Sequence, residues 1–227
     1  MLPTSNILQR TFQLRFSGSQ GTCFTIDVTN RQYIVTAKHL VKSVVDQAVL
    51  EVKHDDTWKA LEVDLVGHCE GAVDISVLAS GTQLSPTHPL SPSTAGLTLG
   101  QDVFFLGFPY GLANEVANLN RDFPLPLVKK ATFSAYNSAN QPLLLDGHNN
   151  PGFSGGPIVF TPQGSSPPEL SVAGVISGYQ WEFESVYLKD ERTALAYKSN
   201  TGIIIAYSIK NAVDLIGQNP IGFELPT

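Results

Sequence analysis

The chain has 227 residues, of which 42% are hydrophobic and only 15% charged, with a formal net charge of −6. An acidic chain without clustered Lys and Arg excludes a broad nucleic-acid surface, and so high an apolar content excludes disorder. The length admits one large domain or two small ones with cores that need no staple, and 19 Gly with 15 Pro point to many strands joined by tight turns.

The first ten residues contain no apolar signal core, and no later stretch approaches membrane-spanning length. A cytoplasmic location and no membrane partner are therefore expected. In chain order, Phe12, Leu14 and Phe16 alternate with Gln13 and Arg15, which predicts a half-buried strand broken at Gly18 to Gly21. Strands follow at Phe24–Val28, Gln32–Thr36, Ala48–Lys53, Trp58–Val66 and Ile75–Ala79, with Thr29-Asn30-Arg31 as a hairpin turn. They supply a six-stranded barrel over residues 1–80.

Residues 81–100 hold Pro86, Pro89 and Pro92 among Ser, Thr and Gly without a period, and read as a link between two barrels. A second barrel over residues 101–227 is expected from strands at Asp102–Leu106, Val128–Ala135, Pro142–Leu145, Gly156–Phe160, Leu170–Ser177 and Ile203–Tyr207. Lys129-Lys130 reads as a solvated turn or strand end, and Gln163–Pro168 as a loop. Ser208 can cap a closing helix with Ile209, Val213 and Ile216 on one face and Gly217 at its end, the one convincing helix of the chain.

The chemistry concentrates at Asn150-Pro-Gly-Phe-Ser-Gly-Gly-Pro157, where one hydroxyl lies among glycines. A serine that attacks a carbonyl needs backbone N–H groups beside it to hold the oxyanion, and glycines let the chain turn tightly enough to aim them. Serine also needs a base, and a base needs an orienting carboxylate. His39 ends the apolar run Ile34-Val-Thr-Ala-Lys-His39, and Asp74 lies in Ala72-Val-Asp-Ile-Ser-Val-Leu78. Gly152-Phe-Ser-Gly-Gly156 also satisfies the Gly-x-Ser-x-Gly elbow of α/β-hydrolases, but those enzymes need a histidine after the serine. Here all five, His39, His54, His68, His88 and His148, precede Ser154.

The order His39, Asp74, Ser154, with Thr-Ala-x-His, Asp-Ile-x-x-Leu and Gly-x-Ser-Gly-Gly-Pro, resembles the chymotrypsin-fold (trypsin-like) serine proteases. Asp146-Gly-His-Asn-Asn-Pro-Gly-Phe-Ser-Gly-Gly-Pro157 narrows the resemblance to the HtrA/Deg-like group, supported by Phe105-Leu-Gly-Phe-Pro-Tyr-Gly-Leu112 and Gly202-Ile-Ile-Ile-Ala-Tyr207. It implies an all-β fold of two six-stranded antiparallel Greek-key β-barrels with a C-terminal helix, and a serine endopeptidase working through an acyl-enzyme on Ser154. His39 would be base and acid and Asp74 the orienter. The oxyanion hole would lie at Gly152 and Ser154, with Phe153 supplying the intervening peptide.

By the same resemblance, His148 stands at the base of the primary pocket, with Asn149 beside it and Ile204 on the far wall. A trypsin-like preference for Lys or Arg is then disfavoured. Ser177-Gly178-Tyr179 would be the edge that pairs with extended peptide. Trp181 and Phe183 either line that groove or pack under the Tyr179 to Asn200 hairpin, packing being the simpler expectation.

Leu40 stands where secreted relatives carry a bridged cysteine, so Cys23 and Cys69 are expected as free thiols in a reducing compartment. Phe153 replaces the aspartate of enzymes activated by a freed N-terminal amine, so control is expected through loop ordering or a regulatory protein partner. No peptide-binding PDZ domain is expected after the second barrel. His54-Asp55-Asp56 and His68-Cys69-Glu70 lack zinc-site spacing, and no metal or cofactor is expected. The alternative function is a catalytically latent peptide-binding module of the same fold. A third is an acyl hydrolase confined to small esters.

Overall fold

The computed structural model describes residues 2–114, 120–136, 142–164 and 169–226. After a short helix α1 (Ser5–Leu8), the first barrel is built from β1 (Thr11–Phe16), β2 (Ser19–Val28), β3 (Arg31–Thr36), β4 (Gln47–His54), β5 (Thr57–His68) and β6 (Ser76–Ser80). The strand order is β3-β2-β1-β4-β5-β6, and a β3–β6 pairing closes the ring. Thr29 and Asn30 carry φ of 50° and 60°, as do Asp55 and Asp56 at 49° and 50°, the left-handed pair that a two-residue hairpin turn demands.

A short strand β7 (Ser91–Pro92) runs parallel to the start of the later β12, so the segment read as a link between the barrels is anchored on the second one. That barrel comprises β8 (Asp102–Gly107), β9 (Leu127–Tyr136), β10 (Pro142–Asp146), β11 (Pro157–Phe160), β12 (Ser171–Leu188) and β13 (Glu191–Ser208). Its order is β11-β8-β9-β10-β13-β12, and β11–β12 pairing closes it. The closing helix α3 (Lys210–Gln218) is followed by β14 (Phe223–Glu224), which returns to pair with β3 of the first barrel.

Alternation explains the cores. Phe12, Leu14, Ile34, Leu50, Val52, Leu61, Val63 and Leu78 fill the first barrel, and Val103, Phe105, Phe133, Leu145, Ile158, Ile176 and Ile204 the second. A third cluster joins them: Phe24, Ile26, Val35 and Val77 meet Leu106, Val159, Val172 and Val175, with Ile209, Ala212 and Ile216 of α3 alongside. Strands β2, β3 and β6 are thus buried on both faces, and they read as nearly unbroken apolar runs for that reason.

Several expectations need correction. Strands β12 and β13 do not stop at Ser177 and start at Ile203; each runs 18 residues, because beyond the barrel they pair with each other as a free-standing ribbon. Trp181 and Phe183 lie on that ribbon and are exposed rather than packed beneath it. Helix α3 starts one residue late, with Ile209 at its N-cap, and continues past Gly217 to Gln218; Ser208 Oγ accepts only a long bond from the Lys210 N–H, 3.3 Å. It is joined by α1 and by the one-turn α2 (Lys38–Val41). The loop expected at Gln163–Pro168 lies largely outside the described residues. Cys23 and Cys69 are both free and buried, and burial pushes their thiols up to about 12 and about 11. No helix among the described residues is long and apolar enough to cross a membrane.

The first barrel holds the linker through Arg10, 1% exposed. Its guanidinium forks onto Asp27 at 2.6 and 3.0 Å and donates to the His88 carbonyl at 2.8 Å. Gln32 completes the clamp, donating to Asp27 and to the Ser85 carbonyl while accepting from the Leu84 and Ser85 N–H groups. Removing one partner of a buried ion pair strands the other. Arg10→Met should therefore cost about 3 kcal/mol, read as a lower urea midpoint at an unchanged m-value.

Candidate active site

The expected site residues come from both barrels. His39 does not end a strand: β3 stops at Thr36, and a turn of helix, α2, lifts the imidazole out to half-exposure while Leu40 and Val41 anchor it in the core. Asp74 lies in the loop before β6. Its carboxylate receives the His39 backbone N–H at 2.8 Å and contacts His39 Nδ1 at 2.6 Å, so ring and carboxylate are locked at two points.

Ser177 makes the link across the barrels. Its hydroxyl donates to Asp74 Oδ2 at 2.6 Å, and its carbonyl accepts the Ser154 hydroxyl at 3.0 Å. The sequence pointed to Ser177 only as peptide-pairing backbone; the role of its hydroxyl depends on a contact 103 residues apart in the chain. Among the described residues Ser154 makes no hydrogen bond to His39. Burial opposes ionisation of Asp74, but the hydrogen bonds from His39 and Ser177 outweigh it and hold the carboxyl below the usual carboxylate range.

The loop ahead of Ser154 is pinned from several sides. Thr22 Oγ1 donates to the Gly152 carbonyl at 2.8 Å, and the Thr22 N–H to the Ser154 carbonyl at 2.8 Å. The Tyr110 N–H takes the Pro151 carbonyl at 2.9 Å. In a trans peptide this turns the Gly152 N–H the opposite way. The Phe153 N–H is spent on Asn150 at 3.3 Å, whereas the Gly152 and Ser154 N–H groups meet no backbone carbonyl among the described residues. Phe153 itself is wholly buried, edge-on to Phe105 with centroids 4.9 Å apart.

Of the residues expected around a pocket, Asn149 is buried, donating to the Gly178 carbonyl at 3.0 Å while its own carbonyl accepts from Asn200 at 2.8 Å. His148 is exposed, Tyr179 half-buried, and Ile204 wholly buried beside Gly147. On the other side of Gly152, a cleft of about 130 Å³ is lined by Gln13, Gln20, Phe108, Tyr110 and Pro151. Neither glutamine pointed to a cleft in the sequence, and Tyr110 stood there only as part of the 105–112 motif.

A model of the trypsin-like peptidase domain matches residues 21–165. The chain belongs to this family. It is a trypsin-like serine protease, a hydrolase acting on peptide bonds. Solved structures of similar fold include an inactive form of the Rv3671c protease of M. tuberculosis, with 18% identity, TM-score 0.59, and 95% of this chain and 91% of that one covered. The HtrA-type protease AlgW with a tripeptide is 19% identical, TM-score 0.59, covering 94% of this chain and 61% of that one. The serine endoprotease of Yersinia pestis is 19% identical, TM-score 0.61, covering 96% and 67%. No curated protein matches the sequence.

The protease also uses a residue first read as solvated. Lys130 fits that reading, pairing with Asp102 at the surface, but Lys129 reaches inward. Its ammonium donates to the His148 carbonyl and to Asn150 Oδ1, and stands 5.8 Å from the centre of the Phe153 ring. Among the described residues it has no carboxylate partner, and burial pushes it below the ordinary lysine range. Lys129→Met should speed amide exchange across residues 147–156 by about tenfold, the worth of one charge-assisted hydrogen bond, while other segments stay unchanged by mass spectrometry.

Asp74 sets a pH dependence. A carboxyl with a lowered folded pKa adds stability above its unfolded pKa and loses it as pH falls through the folded value. The stability advantage of wild type over Asp74→Asn should be full at pH 7 and shrink below about pH 4, compared through urea midpoints across that range.

Proposed function

We propose that the protease cleaves its substrates through an acyl-enzyme on Ser154, with His39 as base and then acid and Asp74 as its orienter. The observation that carries this reading is the series of contacts His39–Asp74–Ser177–Ser154, in which Ser177 meets Asp74 through its hydroxyl and Ser154 through its backbone carbonyl. With Nδ1 held by Asp74, Nε2 is the nitrogen left to exchange protons. Ser154 Oγ attacks the peptide carbonyl as its proton passes to Nε2. The same proton then leaves with the amine as the C–N bond breaks, and water, deprotonated by His39, releases the acid.

The N–H groups of Gly152 and Ser154, which meet no backbone carbonyl among the described residues and are spaced by Phe153, are the donors proposed to hold the oxyanion. At rest the Ser154 hydroxyl lies on the Ser177 carbonyl, which is also the acceptor an extended substrate would use. A substrate N–H that takes this carbonyl frees the hydroxyl for His39, so binding and activation of the nucleophile are coupled. At the primary pocket, the Lys129 ammonium on the His148 carbonyl supports a preference against Lys and Arg side chains.

The resting bond of Ser154 to Ser177 also favours a second reading, a module that binds peptides without turnover. Fluorophosphonate labelling separates the two. An adduct on Ser154 of wild type, absent from Ser154→Ala, is expected, together with a loss in kcat of on the order of 10⁶ in the variant. No adduct on wild type would leave the binding module.

A further inference from the structure

Strand β12 leaves the active site without a break. Ser177, bonded to both Asp74 and Ser154, is followed directly by the ribbon strand 178–188. Beyond Val175, β13 is the only strand paired with β12 among the described residues, since β11 ends its pairing at Val175 and β7 at Val172. One edge of β12 therefore runs from the nucleophile with no strand paired to it among the described residues; of its carbonyls, Ser177, Gly178 and Trp181 accept only side-chain donors, from Ser154, Asn149 and Gln180.

An exposed edge of this length invites strand addition, and proteins ordinarily blunt such edges with Lys or Pro. Residues 178–188 contain neither. Their side chains are sorted by face instead. Trp181 and Phe183 lie on one face, 42% and 68% exposed, edge-on to each other at 5.2 Å, with Lys198 of β13 over the Trp181 ring at 4.1 Å. Glu182 and Glu184 lie on the other, both exposed. Glu184 is held by the Tyr197 hydroxyl at 2.9 Å.

We propose that this ribbon extends the substrate-binding edge, so that the part of an unfolded substrate N-terminal to the cleaved bond adds as an antiparallel strand along β12. Apolar side chains of that segment meet Trp181 and Phe183, and basic side chains at alternate positions meet Glu182 and Glu184. The departing, C-terminal half has the cleft beside Tyr110 and Pro151, to which β12 contributes no residue. This inference rests on Ser154 as the nucleophile for its direction, but the ribbon's binding is measurable without turnover.

The test uses the full chain as Ser154→Ala, and the same chain with residues 183–198 replaced by Asn-Gly, which joins the opposed pair Glu182 and Ser199 by a two-residue turn. The probe is a fluorescein-labelled decapeptide alternating Phe and Lys, read by anisotropy. The intact ribbon should bind it about tenfold more tightly than the shortened one, the worth of two or three cross-strand pairs, and a Phe/Glu decapeptide should lose that advantage. Equal affinities would overturn the proposal. So would a concentration-dependent dimer that disappears with the ribbon while peptide binding does not change, since that assigns the surface to a second copy. Should the shortened chain not fold, Trp181→Ser with Phe183→Ser, and separately Glu182→Lys, read the two faces in the intact ribbon. Fluorophosphonate labelling of the shortened chain with Ser154 restored reports the nucleophile separately, so failure of the ribbon and failure of the triad give different results.

Discussion

Thr22 is the joint on which the site depends. From the first barrel its N–H and hydroxyl hold the Ser154 and Gly152 carbonyls, and its hydroxyl accepts the Phe108 N–H of the second barrel at 3.2 Å. Backbone can approach backbone so closely only where there is no side chain. A Cβ on Gly155 would sit 2.0 Å from the Thr22 carbonyl oxygen, and one on Gly152 2.3 Å from that of Phe108. Both glycines also hold φ near +83° and +107°, a region closed to other residues without strain. The glycines beside Ser154 thus do two things together. They shape the loop, and they let the second barrel's serine seat against the first barrel, which carries His39 and Asp74.

Around that joint, apolar burial and directed polar contacts divide the labour. The shared cluster from Phe24 and Val35 to Val159, Val175 and Ile209 is non-directional and presses the barrels together. Orientation comes from bonds with defined geometry: Thr22 on the loop, Ser177 between Asp74 and Ser154, and Arg10 on the linker. The returning β14, paired with β3, ties the end of the described chain back to the barrel where it began.

The loop from Gly147 to Ser154 is held by donors contributed within the fold. Lys129 meets its carbonyl and amide oxygens, Tyr110 fixes the Pro151 peptide plane, and Asn149 bridges to the ribbon base at Gly178. Where an acid before the serine would need a cation as a partner, Phe153 is buried in the barrel core under the Lys129 ammonium.

How much could be read without coordinates follows from the range of the interactions. Strand alternation, the Thr29-Asn30 turn and the glycines around Ser154 are local, governed by the period of two, by φ and by the absence of Cβ. The family is legible for the same reason, because its motifs are short runs around His39, Asp74 and Ser154. Lys129 could not be read this way: a lysine two residues into a strand looks solvated until the loop at His148 is folded over it. The hydroxyl of Ser177, the seat of Thr22 and the clamp of Arg10 are long-range contacts, invisible to any periodicity. The ribbon's polar and aromatic alternation was open to two readings, packed or exposed, and the solvent left on its aromatic face decided between them. The sequence by itself determined the strands, the turns and the chemistry available, since these depend on neighbouring residues. Only the tertiary structure decided which groups meet, because those distances are set by closure of the two barrels and by the backbone contact at Thr22.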